Sequence, residues 1–173
     1  LPFERGEALR LFADVSFLMA TLTIIACGQI KETFLRQAIA EYEKRLSRYA
    51  NVQILEVPDA PDSLPEAVAL EKEAVAIEGK LPGKGFVIAL DIRGKTVTSE
   101  QFAEILDSGF ERGQASLVFI IGGSRGLAPA ILQKSDLRLS LSALTFPHQL
   151  ARLILFEQCY RGFRILRDEP YHK

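Results

Sequence analysis

Short, strongly apolar runs alternate along the chain with longer runs in which apolar residues recur every three or four positions. The short runs are typical of buried β-strands, and the longer ones of amphipathic helices. Strands are predicted in TLTIIACG from Thr21, NVQILEVPD, GFVIALDI from Gly85, SLVFIIGG and LRLSLS. Helices are predicted in KETFLRQAIAEYEKRLSRYA, EAVALEKEAVAIEGK, VTSEQFAEILDSGFERG and LAPAILQK, with a last one from near Pro147. This alternation predicts a single-domain α/β fold with a mostly parallel sheet flanked by helices.

Two helix starts carry recognisable capping residues. Thr98 or Ser99 can cap the third helix, because a hydroxyl accepts a hydrogen bond from a free N–H of the first turn. At the last helix, Pro147 suits the first turn and Thr145 is the expected cap. The last helix is apolar on two opposite faces, which favours burial against both its own sheet and a second copy of the chain.

Composition restricts the classes of partner. The chain has 173 residues, 48% hydrophobic and 25% charged, with a formal net charge of −1. A nucleic-acid interface must therefore use a local cluster of Lys and Arg, since the protein is not basic overall. Cys27 and Cys159 lack metal-site or disulfide-framework spacing, so we interpret them as reduced, packed thiols of a cytoplasmic protein. No apolar run reaches the roughly 18 residues of a membrane span, and no metal site is predicted.

The first 18 residues stand apart from this pattern. Glu4, Glu7 and Asp14 interrupt the basic and apolar regions that a signal peptide needs. Met19 is the single methionine, and a strand-like run begins just after it. We therefore interpret residues 1–18 as an extra or non-native segment and residues 19–173 as the domain. The alternative is a genuine N-terminal helix.

A glycine-rich loop follows the fourth strand. In IIGGSRGLAP, Gly122, Gly123 and Gly126 lie between a strand and a helix, where parallel sheets bind ligands beyond the carboxyl ends of their strands. The loop lacks the Gly-Lys-Ser/Thr of a P-loop and the spacing of a dinucleotide-binding fingerprint. Taken alone it predicts either a ligand site or a set of tight turns.

The stretch LSLSALTFPHQLAR and the chain end hold the remaining candidate chemistry. His148 is either a catalytic group or a satisfied histidine at a cap or interface. Glu157 and Arg161 form an i,i+4 pair that fits helix support. The end, RGFRILRDEPYHK, is mildly basic around Tyr171, so it is either an aromatic–basic surface for a nucleic-acid base or an ordinary solvated tail.

Taken together, these motifs resemble the RlmH family. The resemblance is carried by LTIIACGQIK, AEYEKRLSRYA, EVPDAP, ALDIRGK, IIGGSRGL, LSLSALTFPHQLARLILFEQCYRGF and the terminal EPYHK, and covers essentially residues 19–173. It implies a SPOUT-type fold with a C-terminal trefoil knot and a homodimer. The implied activity is S-adenosylmethionine-dependent methylation of N3 of a pseudouridine in 23S rRNA, in an assembled ribosome.

The same resemblance implies site residues. The expected cofactor contacts are Leu90, Asp91, Gly122, Gly123, Ser142, Ala143, Leu144, Thr145, Phe146 and Pro147. The expected catalytic candidates, which position the base or assist loss of its proton, are His148, Arg152, Tyr171 and His172. We further expect Arg152 to contact RNA or the partner subunit and His172 to lie over the cofactor pocket.

Two other functions remain open from the residues alone. A nucleotide-dependent oxidoreductase that uses the glycine loop predicts binding of NAD rather than S-adenosylmethionine. A non-catalytic ribosome-binding protein predicts association with ribosomes without methyl transfer.

Overall fold

A computed structural model describes residues 20–172 of the chain. The predictions for residues 1–18, and for Met19 as the start of the domain, lie outside the described residues. The strands are β1 (Thr21–Cys27), β2 (Asn51–Val57), β3 (Phe86–Thr96), β4 (Ser116–Ile121) and β5 (Leu137–Ser140). The helices are α1 (Thr33–Leu46), α2 (Glu66–Glu78), α3 (Ser99–Arg112), α4 (Pro129–Lys134) and α5 (His148–Leu166). Within this part of the chain, no helix is both long and apolar enough to cross a membrane.

The five strands form one parallel sheet in the order β2-β1-β4-β3-β5. Helices α1, α3 and α5 pack together over one face, where the larger apolar cluster lies. Helices α2 and α4 cover the other face with a second cluster. The predicted single-domain α/β fold with a parallel, helix-flanked sheet is confirmed.

The central strands β1 and β4 are continuously apolar, rather than alternating, because both of their faces are buried. From Leu22 to Cys27 every residue of β1 is buried, and Leu117 to Ile121 of β4 are buried as well. Both faces of these strands are covered by helices, so both side-chain directions point into a core. The same arrangement brings the carboxyl ends of β1, β4 and β3 side by side.

One helix start follows its prediction and another does not. Thr98 caps α3, accepting a hydrogen bond from the backbone N–H of Gln101 at 3.2 Å, and Gln101 in turn accepts one from the Thr98 N–H at 3.0 Å. The predicted cap of α5 by Thr145 is wrong. That helix begins at His148, with Pro147 as its N-cap residue and no side-chain capping bond. The N-cap position falls on Pro147, with ψ of 139°, two residues after Thr145, and a proline side chain has no group that can accept a hydrogen bond.

Strand β3 runs further than its apolar sequence indicates and carries a bulge. Leu90 and Lys95 both pair with Leu139 of β5, so residues 91–94 leave the ladder between them. Gly94, the last residue of the bulge, lies directly against the β5 backbone, where an added Cβ would sit 2.7 Å from the Leu139 nitrogen. Bulges of this kind re-aim side chains beside functional sites.

Candidate active site

A pocket of about 150 Å³ lies beyond the carboxyl ends of β3, β4 and β5, beside the first turn of α5. Eight of the ten residues predicted to contact the cofactor line it, namely Leu90, Asp91, Gly122, Gly123, Ser142, Leu144, Thr145 and Phe146. Ala143 and Pro147 belong to the same segment but do not line the pocket. The remaining lining residues, which the sequence did not single out for contact, are Ile92, Ile121, Gly126, Leu139, Ser140, Leu141, His148 and Ala151.

The glycine loop brings bare backbone to the pocket wall. Gly123 and Gly126 form a bridge across the loop, and the Gly126 N–H donates to the Gly123 carbonyl oxygen at 3.1 Å. Gly126 has a φ of +78°, a conformation that L side chains rarely adopt. A Cβ on Gly122 would overlap the carbonyl group of Gly126. The loop therefore needs glycine at these positions to close tightly.

The opposite wall is the run from Ser142 to Phe146, which hydrogen bonds of two serine hydroxyl groups hold in place. The Ser140 hydroxyl donates to the Ser142 carbonyl oxygen at 2.9 Å, and the Ser142 hydroxyl accepts from the Leu144 N–H at 3.0 Å. These local bonds fix an irregular segment that has no helical or sheet partner.

The lining is chemically mixed, with backbone amides, hydroxyls and apolar side chains. Leu144 is 71% exposed and Ile92 is 57% exposed, although both are large apolar residues at the pocket. Exposed apolar groups beside backbone donors and acceptors suit a ligand with an aromatic base, a ribose and an uncharged stem. The residues present therefore fit S-adenosylmethionine.

Asp91 and His148 are the titratable side chains that the pocket lining contributes. Asp91 accepts a hydrogen bond from the backbone N–H of Arg93 at 3.2 Å, within the β3 bulge. His148 is the first residue of α5 and stands at the pocket because Pro147 starts the helix there. Of the four predicted catalytic residues, His148 is the one that the structure places in the pocket.

Arg152 is buried and is not among the residues that line the pocket. Its side chain is 2% exposed, its Nη1 lies 2.5 Å from Glu56 Oε1, and its Nη2 donates to the Gly28 carbonyl oxygen at 2.8 Å. Within one chain, this burial leaves the guanidinium almost no exposed surface for the expected contact to RNA or to the partner subunit. The guanidinium instead joins α5 to the carboxyl ends of β1 and β2.

Tyr171 and His172, beyond the end of α5, fold back and form a second cluster with side chains of α5 and of the start of α3. The Tyr171 hydroxyl donates to Glu157 Oε1 at 3.2 Å, and His172 lies between Arg161, 3.2 Å away, and Glu100, 2.8 Å away. Burial, followed by the hydrogen bond to Tyr42 and the Glu157 charge, raises the pKa of the Tyr171 hydroxyl well above its usual range.

Within one chain this tail cluster does not meet the pocket. Arg161 lies ten residues beyond Ala151, the last pocket-lining residue of α5, which is about 15 Å along the helix axis. His172 therefore does not lie over the pocket of its own chain. The i,i+4 spacing of Glu157 and Arg161 predicts helix support and carries no sign that the tail folds back onto them.

The cysteines take no part in either cluster. Both are free and buried, as interpreted from the sequence. Burial, followed by the charges of Glu73 and Asp59, raises the pKa of the Cys27 thiol to about 12, so it stays protonated near neutral pH. Among residues 20–172 there is no group of three or more His, Cys, Asp or Glu side chains arranged to hold a metal ion.

Comparisons with known proteins agree on one family. The family model described as predicted SPOUT methyltransferase matches residues 20–172. Ribosomal RNA large subunit methyltransferase H of Carboxydothermus hydrogenoformans is 50% identical over 157 residues, which cover 88% of this chain and 99% of that protein. The protein of the same name from Bacillus cytotoxicus is 52% identical with the same coverage.

Solved structures are more distantly similar. A probable methyltransferase from Bordetella pertussis Tohama I is 18% identical with a TM-score of 0.49, over 89% of this chain and 96% of that one. At that score and identity, the likeness adds nothing to what the sequence relatives show.

Proposed function

The chain belongs to the SPOUT methyltransferases of the ribosomal RNA large subunit methyltransferase H (RlmH) family, and from this premise we propose that it transfers a methyl group from S-adenosylmethionine to ribosomal RNA. The observation that carries the proposal is the pocket at the carboxyl edge of the sheet. Its walls are the glycine loop and the run from Ser142 to Phe146, two segments that offer backbone groups and apolar surface to such a cofactor.

The proposed substrate is N3 of a pseudouridine in the 23S rRNA of an assembled ribosome, which places the reaction in the cytoplasm. The family resemblance supports this choice. The net charge of −1 also supports it, because a protein that is not basic overall is better suited to recognise the shape of a folded RNA than to grip naked strands.

The chain's own residues then have distinct tasks. When bound, the cofactor supplies an already activated methyl group on a sulfonium. Gly122, Gly123 and the Ser142–Phe146 run would hold it through backbone groups, so positioning would provide much of the catalysis. Methylation at N3 would require the N3 proton of the base to leave. We propose His148, which lines the pocket, or solvent as the acceptor of that proton.

We also propose that the working form is a homodimer and that the segment after β5 is threaded as a trefoil knot. The exposed Leu144 and Ile92 at the pocket mouth support a second copy, because an open apolar rim is normally covered. The pocket of one chain, about 150 Å³, is also smaller than the roughly 300–1,000 Å³ of typical ligand sites. Tyr171 and His172 can reach the base in this arrangement only if a second copy brings them to the pocket.

The test is transfer of labelled methyl from S-adenosylmethionine to ribosomes that lack the modification, followed by mapping of the labelled nucleotide. Label on N3 of one large-subunit pseudouridine is the expected result. Ribosome binding without transfer supports the non-catalytic alternative, and NAD binding without S-adenosylmethionine binding supports the oxidoreductase.

The proposed catalytic roles of His148, Tyr171 and His172 are tested by single substitutions in the same methyl-transfer assay. His148→Ala is expected to reduce kcat by about 10²-fold or more, with S-adenosylmethionine still bound. His172→Ala and Tyr171→Phe test the tail. Wild-type rates in all three variants would remove these side chains from the mechanism.

A further inference from the structure

The β3 bulge places two cations beside the candidate pocket, and nothing assigned so far uses them. We propose that Arg93 and Lys95 form the surface that binds the phosphate backbone of the substrate RNA at the pocket mouth. This inference rests on the proposed function, since it names the RNA-contacting surface of the same site.

The geometry of the bulge supports this role. Asp91 and Ile92 line the pocket, and the next residues along the chain are Arg93, Gly94 and Lys95. Because Gly94 has no side chain, the strand packs onto the backbone of Arg138 and Leu139. This packing fixes the bulge against β5. A ligand that contacts Arg93 therefore lies next to the pocket-lining residues Asp91 and Ile92.

The two side chains are exposed and available. Arg93 and Lys95 have no side-chain hydrogen bond or ion pair with any residue between 20 and 172, whereas Arg45, Arg152, Arg161 and Arg164 are each held by a carboxylate. A free guanidinium binds a phosphate through two parallel hydrogen bonds, and a free ammonium binds it as a point charge.

Charge is distributed unevenly along the carboxyl edge of the sheet. Asp59 and Asp62 are exposed after the end of β2, at one edge, whereas Glu56 beside them is already paired with Arg152. Arg93, Lys95 and the exposed Arg138 lie on β3 and β5, at the other edge. An RNA backbone is repelled by the first group and attracted by the second, so it approaches the pocket from the β3–β5 side. This local cluster is the feature that a protein of net charge −1 needs in order to bind RNA.

The experiment compares wild-type protein with Arg93→Gln/Lys95→Gln on ribosomes that lack the methyl group. We expect the KM for ribosomes to rise about tenfold, with kcat and the Kd for S-adenosylmethionine changed less than about twofold. The slope of log affinity against log salt concentration should fall in magnitude by about 1 to 1.5, since each phosphate contact contributes about 0.7.

A matched control removes the same two charges elsewhere. Lys80 and Lys84 are exposed in the loop before β3, at the amino ends of the strands and so away from the pocket. Lys80→Gln/Lys84→Gln should retain wild-type affinity for ribosomes and the wild-type salt slope. An equal loss of affinity for ribosomes in both double variants would show a general charge effect and overturn the proposal. Wild-type affinity and slope in the Arg93/Lys95 variant would also overturn it.

The outcomes separate this surface from the proposed activity. If wild-type protein binds ribosomes through Arg93 and Lys95 but transfers no methyl group, the activity fails and the surface stands. If methyl transfer occurs with the double variant at the wild-type KM, the activity stands and the surface fails. Wild-type protein that binds no ribosomal RNA overturns both.

Discussion

At the scale of single residues, the buried guanidinium of Arg152 connects elements that are distant in the sequence. It contacts Glu56 of β2 and the carbonyl of Gly28 after β1, and it lies one helical turn after His148. Ala151, its neighbour, lines the pocket. The residue that we first considered for catalysis therefore positions the start of α5, and with it the pocket wall.

Replacement of Arg152 should destabilise the protein. Arg152→Met is expected to lower the free energy of unfolding by about 2 kcal/mol, because the Gly28 carbonyl loses its buried donor and Glu56 loses its partner. Arg152→Lys should recover part of the loss, since one ammonium cannot replace both contacts. Urea unfolding measures the change.

The control for this substitution is an exposed pair. Arg45 and Glu41 form an ion pair across one turn of α1, with N–O distance 2.9 Å, and Arg45→Met should change stability by less than about 0.5 kcal/mol. Equal effects of Arg152→Met and Arg45→Met would contradict the positioning role.

At the scale of elements, the glycine loop between β4 and α4 offers a sharp test of the cofactor site. Gly122→Ala forces a Cβ against the Gly126 carbonyl, so the loop must shift and the affinity for S-adenosylmethionine should fall tenfold or more. Calorimetric titration gives the Kd, and circular dichroism verifies the fold.

A second glycine serves as the reference. Gly83 has no atom within 4 Å of an added Cβ, and Gly83→Ala should bind the cofactor as the wild type does. If Gly122→Ala also bound it normally in a folded protein, the loop would not belong to the cofactor site.

Helix α3 carries a carboxyl group whose ionisation opposes folding. Burial, reinforced by the charge of Glu111, raises the pKa of Asp107 from 3.8 to about 6. Because the pKa of Asp107 is higher in the folded chain, this residue contributes to the free energy of unfolding fully below its unfolded-state pKa of about 4. That contribution is lost as the pH rises from about 4 through 6. The Asp107→Asn variant should therefore be more stable than wild type at pH 7, by about 1 kcal/mol after allowance for solvent screening.

The pH dependence identifies the cause of this gain. At pH 4 folded Asp107 is neutral and the unfolded chain is only about half ionised at this residue. The difference in unfolding free energy between Asp107→Asn and wild type should therefore shrink to a small fraction of its value at pH 7 in urea unfolding. Glu104→Gln, an exposed acid on the same helix, should show little difference at either pH. A gain for Asp107→Asn that is equal at pH 7 and pH 4 would refute the explanation.

At the scale of the whole molecule, the proposed dimer has a specific candidate surface. The starts of α1 and α5 are joined by a hydrogen bond from the Lys31 N–H to Gln149 Oε1 at 3.1 Å. Phe34 and Leu150 are exposed beside this contact, Phe34 by 65%. Two large apolar side chains at one junction favour burial against a second copy.

Light scattering during gel filtration tests this arrangement. Wild-type protein should have a mass of about 38 kDa, twice the 19.2 kDa of one chain. Phe34→Lys/Leu150→Lys should shift it to the monomer mass. Val75→Lys, at an equally exposed apolar residue on the opposite face of the sheet, should leave the dimer intact. A monomeric wild type at micromolar concentration would exclude the dimer.

Much of this architecture follows from local pattern. The order of strands and helices, the parallel sheet and a cap at Thr98 or Ser99 were predictable from the residues. The assembly of the glycine loop with the Ser142–Phe146 run was expected only from the resemblance to the RlmH family. Apolar periodicity reports which side of each segment is buried, and parallel strands place their carboxyl ends at one edge of the sheet. By itself, the sequence therefore determined the elements and the edge of the sheet where the pocket lies.

Only the tertiary structure decided the remaining features, and all of them depend on contacts between distant segments. The β3 bulge exists because Leu90 and Lys95 share one partner on β5. Arg152 is buried because Gly28 and Glu56 meet it across the sheet edge. Tyr171 and His172 lie far from the pocket because the tail folds onto α5 and the start of α3. Periodicity within one segment carries no information about the partner that segment will meet, so these positions had to come from the packed chain.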